Sequence, residues 1–132
     1  MSNNDFSQYL IDIINAGSLS IMLSIGHRTR IFDVMTQIPP STTQEIASKS
    51  NLNERYVKKW LGAMVTGRIV DYDSSTNKFS LSKEKAQYLT REKSIYNFAA
   101  SMQWVPMTAK IAITANSVVL FSIVFIYICG KL

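Results

Sequence analysis

The sequence predicts a mainly α fold: a winged helix-turn-helix with N-terminal helices ahead of it, a small β-hairpin wing within it and a C-terminal apolar, transmembrane-like helix behind it. Three observations carry that expectation. Between Thr42 and Gly67 a capped short helix, a turn and a longer amphipathic helix follow one another. Two short alternating runs around a polar loop come directly after, the pattern of a hairpin. Charge and apolar residues are also unevenly spread. Residues 1–48 carry two basic and four acidic residues, 49–93 carry ten and five, and 94–132 carry only Lys110 and Lys131.

The elements follow in order. Phe6, Leu10, Ile13, Ile14, Leu19, Met22 and Leu23 recur at three- and four-residue spacing, an apolar helical stripe. Gly17 and Gly26 are expected to divide it into two or three shorter helices. Ile31, Phe32 and Met35 continue the pattern until Pro39 and Pro40 stop it. The stripe is wide, which implies a helical core or a helix–helix dimer surface. Thr42-Thr-Gln-Glu45 fits a capping box, opening a short helix with Ile46 and Ala47 inward. Asn53 is suited to cap the next helix, Glu54 to about Thr66, with Gly67 expected at its left-handed end. Leu52, Val57, Leu61, Met64 and Val65 form its buried stripe, with Tyr56 and Trp60 at the edge. Ile69 to Tyr72 and Lys78 to Leu81 make the hairpin around Asp73–Asn77, and Ser82 opens a helix towards Leu89. The order of these elements is that of a winged helix-turn-helix. The chain thus divides into N-terminal helices (1–38), the winged helix-turn-helix (39–92), a connecting helix or linker (93–109) and an apolar tail (110–132).

The second helix of such a motif is the one that enters a DNA major groove. Arg55, Lys58 and Lys59 lie opposite its apolar stripe, and Arg68 and Lys78 flank the wing, a candidate nucleic-acid face. A solvated helix surface would carry charges as well; Glu54, Asp71 and Asp73 dilute the patch, and base-reading Asn or Gln residues are scarce on it. The balance disfavours sequence-specific DNA binding, leaving a small winged-helix transcriptional regulator as the alternative function.

Several residues together resemble a known family. Ser24-Ile-Gly-His-Arg-Thr-Arg-Ile-Phe-Asp33, Thr43-Gln-Glu-Ile-Ala47, Asn53-Glu-Arg-Tyr-Val57, Trp60-Leu-Gly-Ala-Met-Val-Thr-Gly67 and Ile69-Val-Asp-Tyr72 look like the N-terminal winged-helix domain of S-adenosylmethionine-dependent methyltransferases. The similarity covers about residues 6–105. It implies a homodimer through the N-terminal helices and a role in capping the substrate pocket, with S-adenosylmethionine bound by a following Rossmann-like domain. Arg30 stands where the family usually has Gly, and Lys59 where an acidic residue is common.

A cofactor-binding domain needs a glycine-rich strand-to-helix turn. The five glycines are Gly17, Gly26, Gly62, Gly67 and Gly130, and no two lie closer than five residues, so no G-x-G pattern exists. The expectation is a module truncated before the catalytic domain, binding no cofactor and inactive alone, with no catalytic or metal-ligating residue. One cysteine, Cys129, excludes an intrachain disulfide, and with a single histidine, His27, no typical zinc site forms. His27, beside Arg28, reads as a packing or capping residue. The polar, slightly acidic N-terminus is unlike a secretory signal.

Lys110 and Lys131 bracket twenty uncharged residues, enough helix to reach roughly 30 Å. Residues 111–129 are therefore a candidate membrane tail anchor, with residues 1–109 cytoplasmic and Arg91, Lys93 and Lys110 on the cytoplasmic side. The abrupt end of the resemblance suggests that this tail is foreign to the family.

Overall fold

A computed structural model describes residues 3–92, 97–107 and 110. They fall in two units, Met1–Met102 and Gln103–Leu132. In the second, residues 104–107 form one helical turn. The expected apolar helix at 111–129 lies outside the described residues.

The first unit runs α1 (Asn3–Arg28), α2 (Ile31–Gln37), α3 (Thr43–Ser50), α4 (Glu54–Thr66), β1 (Asp71–Asp73), β2 (Lys78–Ser80), α5 (Lys83–Leu89) and α6 (Phe98–Ser101). The expected mainly helical winged helix-turn-helix is present. α3 packs on α4, α2 on α3 and α5, and α1 on α2, α4 and α6. Phe32 of α2 and Trp60 of α4 meet edge to face at 5.1 Å in the centre, with Ile31, Ile46, Leu61, Met64 and Val70 closed around them.

The local signals explain most boundaries. Thr42 and Glu45 form the full capping box: the Thr42 N–H donates to Glu45 Oε2 at 2.7 Å, and the Glu45 N–H to Thr42 Oγ1 at 3.4 Å. Asn53 Oδ1 accepts from the Arg55 N–H, and Ser82 Oγ from that of Lys85, at the starts of α4 and α5. The turn between α3 and α4 closes on Asn51, left-handed at φ 53°, with the Leu52 N–H reaching back to the Ala47 carbonyl at 2.9 Å.

Two glycine expectations are corrected. Gly17 and Gly26 do not break α1, which is continuous over 26 residues. Gly26 is a contact glycine: a Cβ there would lie 2.5 Å from Phe32 and 2.6 Å from Trp60, so its absence lets α1 dock on the core. The chain turns instead at Arg30, left-handed at φ 60°. Likewise Gly67 is not the left-handed residue ending α4; its φ is −75°, and a Cβ there would lie 2.6 Å from Leu19. Arg68, at φ 59°, takes that position. Its N–H donates to the Val65 carbonyl and that of Ile69 to Met64, the two bonds of a Schellman ending.

The wing is an antiparallel pair with Tyr72 opposite Phe79, ring centroids 4.7 Å apart. Ser41 joins it through a two-way backbone bridge to Phe79. That one-residue rung ahead of α3 ties the wing to the segment entering the helix-turn-helix.

Candidate functional site

Three parts of the first unit present chemistry at the surface. The first is the outer face of α4. Arg55, Lys58 and Lys59 are exposed there, as is Tyr56 at 69%. Their three- and four-residue spacing places the cations on one arc, opposite the buried Val57, Leu61 and Met64. Arg68 is exposed at the end of α4, and Lys78 is exposed at the start of β2, where its charge helps to hold the Glu45 carboxyl low after the dominant Thr42 hydrogen bonds. Trp60 differs from its expected edge position: it is buried, and its Nε1–H donates to the Met22 carbonyl of α1 at 2.9 Å.

The wing's acids are engaged. Asp71 pairs with Lys85 at 2.6 Å. Asp73 accepts from the Ser75 N–H, Ser75 Oγ and Thr76 Oγ1, which pull its carboxyl down to about 2.

The second part is a knot at the end of α1. Arg91, expected from sequence on the cytoplasmic side of a membrane span, grips Asp33 of α2. Its Nη1 meets Asp33 Oδ2 at 2.6 Å and its backbone N–H donates to Oδ1 at 3.0 Å, while Nη2 donates to the His27 carbonyl. His27 is half-buried, and its Nδ1 is buried without a hydrogen-bond partner. Burial, and then the Arg91 charge, push its pKa below the usual histidine value, against a smaller opposing pull from Asp33. A separation of 58 residues hid the Arg91–Asp33 pair from local sequence reading.

The third part is α1 itself. Every residue from 4 to 18 is exposed, including Phe6, Tyr9, Leu10, Ile11, Ile13 and Ile14, the last at 66%. Among the described residues α1 is the one helix long and apolar enough to cross a membrane by length and composition. The apolar helix expected at 111–129 lies outside the described residues, and the wide apolar stripe expected on two or three shorter helices is carried here by one continuous helix. Among the described residues no cluster of three or more His, Cys, Asp or Glu could hold a metal ion.

The pattern of the Rv2258c-like winged HTH domain family matches residues 17–91, more than half of the chain. The chain belongs to that family. As an Rv2258c-like winged HTH domain it has structural neighbours among methyltransferases. Human N-acetylserotonin methyltransferase, solved with SAM, matches with a TM-score of 0.65 at 16% identity, over 78% of this chain and 32% of its own. CalO1, a methyltransferase in calicheamicin biosynthesis solved with SAH, matches at 0.55 and 15%, over 70% and 26%. NcsB1, an O-methyltransferase from neocarzinostatin biosynthesis solved with SAH, matches at 0.51 and 18%, over 67% and 27%. No curated protein sequence matches the chain. The likeness is one of fold: this winged helix matches the N-terminal region of such methyltransferases, and the chain spans a third of their length or less.

Proposed function

We propose that this Rv2258c-like domain is the non-catalytic module of a SAM-dependent methyltransferase-type protein, self-associating through α1 and helping to cap the substrate pocket. The observation that carries the reading is the first half of α1, whose large apolar side chains are exposed among the described residues. At 100° per residue, Phe6, Tyr9, Leu10, Ile11, Ile13 and Ile14 fan over an arc of about 200°, twice the stripe that one packed neighbour covers. A helix of about 15 residues is marginal in water on propensity alone, so its stability comes from burial. Its large, half-exposed side chains would supply much of the ~800 Å² per partner of a standard interface.

The fold shared with SAM- and SAH-bound methyltransferases supports the parent activity, and the missing G-x-G pattern supports placing cofactor binding outside this chain. A Rossmann-like catalytic domain, not this module, would then hold the cofactor and carry out the methyl transfer. For residues 111–129 composition supports a membrane anchor that leaves the winged helix on the cytoplasmic side; recovery of the expressed chain in the carbonate-soluble fraction would refute it.

The test of self-association is sedimentation of the chain against Leu10→Glu with Ile14→Glu. The proposal expects a dimer that the double substitution turns into a monomer with unchanged circular dichroism. A monomeric wild type, or a variant that still dimerises, contradicts it. Calorimetry with S-adenosylmethionine should show no heat, and saturable micromolar binding would place the cofactor site in this chain.

A further inference from the structure

We propose that the outer face of α4 binds the phosphate backbone of duplex nucleic acid, independently of sequence and of the α1 contact. The face meets three physical requirements. It lies on the second helix of a helix-turn-helix, the element whose diameter suits the roughly 12 Å major groove. Its cations are available: Arg55, Lys58, Lys59 and Arg68 are exposed, and none forms an ion pair with another described residue. The acids nearest in sequence on the wing side are already satisfied, Asp71 by Lys85 and Asp73 by its own turn.

Charge complementarity identifies the partner as a polyanion, and the residue types set the mode of binding. Gly62 leaves the middle of the face flat, with a clear approach. α4 carries no Asn or Gln to read adenine edges, and no ion pair with a described residue fixes Arg55, Lys58 or Lys59 in the orientation a bidentate guanine contact needs. Phosphates are then the ligand atoms, and Arg55, Lys58 and Lys59 their donors. Glu54, one turn before Lys58, is the acid that a bound phosphate would meet at the edge of the face.

The experiment is fluorescence anisotropy of the full chain, in mild nonionic detergent, with a labelled duplex of arbitrary sequence. Three phosphate contacts predict a slope of about −2.7 in log affinity against log salt, an approximately forty-fold loss between 50 and 200 mM. Lys59→Glu should weaken binding about tenfold at the lower salt. Lys83→Glu, which makes the same change in net charge on α5, should leave it nearly unaltered. Three results would overturn the proposal: no binding to duplex at low salt, equal losses in both variants (which would indicate bulk charge), or capture by phosphatidylserine vesicles with no capture by duplex.

Discussion

From Leu19 to Arg28, α1 is fitted to its neighbours with little tolerance. Gly26 lies against Phe32 and Trp60, Leu19 against Gly67, and the Met22 carbonyl takes the Trp60 indole proton. From residue 4 to residue 18 the same helix is exposed at every position, yet it carries six large apolar side chains against five in the docked half. The family match begins at residue 17, close to the boundary between these halves. One half is specified by contacts inside the chain. The other carries an apolar surface that the described residues leave open, and that difference is why the arm, rather than the winged helix, is assigned the contact with a partner copy.

Substitutions at the contacts of the docked half with α2 and α4 should have the largest effects. Trp60→Ala removes the ring that meets Phe32 and leaves the Met22 carbonyl without its partner; it should cost about 3–5 kcal/mol, read by chemical denaturation. Gly26→Val pushes atoms into Phe32 and Trp60 and should cost about 1–3 kcal/mol. If Gly26→Val were neutral, the close fit of α1 to α4 would be wrong. Arg30→Gly acts in the opposite direction. The left-handed conformation at φ 60° disfavours any residue with a Cβ, so glycine there should add about 1 kcal/mol to stability. The glycine that the methyltransferase resemblance implies at position 30 has its physical reason in that angle.

The smallest effects depend on pH. The His27 pKa is lowered in the folded chain, so the folded state binds its proton less readily than the unfolded one. Stability from this group is complete above the unfolded value of 6.5 and falls as pH drops below it. His27→Gln should flatten the denaturation midpoint between pH 7.5 and 5.5. Asp73 acts in the same direction at lower pH: its contribution is present above 3.8 and disappears as pH falls through about 2, which the Ser75 amide resonance would follow.

The parts legible in the sequence were those whose causes are local. Thr42 with Glu45, Asn53 and Ser82 announce helix starts because each cap is completed within three residues. Gly26 and Gly67 misled because a glycine signals freedom of φ, whereas here each makes room for a side chain far away in sequence. Arg68 then ends α4 in the conformation that glycine was expected to supply. The Ser41 rung is one residue long and has no periodicity to detect. For the candidate surfaces, the α4 cations could be read from helical spacing alone. The Arg91–Asp33 grip could not, nor could the exposure of α1, since an apolar stripe looks the same whether or not its own chain covers it.

Amide hydrogen exchange along α1, measured at two protein concentrations, tests the central claim most directly. The account predicts that residues 5–17 are protected at high concentration and lose protection on dilution, while the amides of α4 stay protected throughout. Protection of residues 5–17 that does not change with concentration, or that is absent at both, would contradict it.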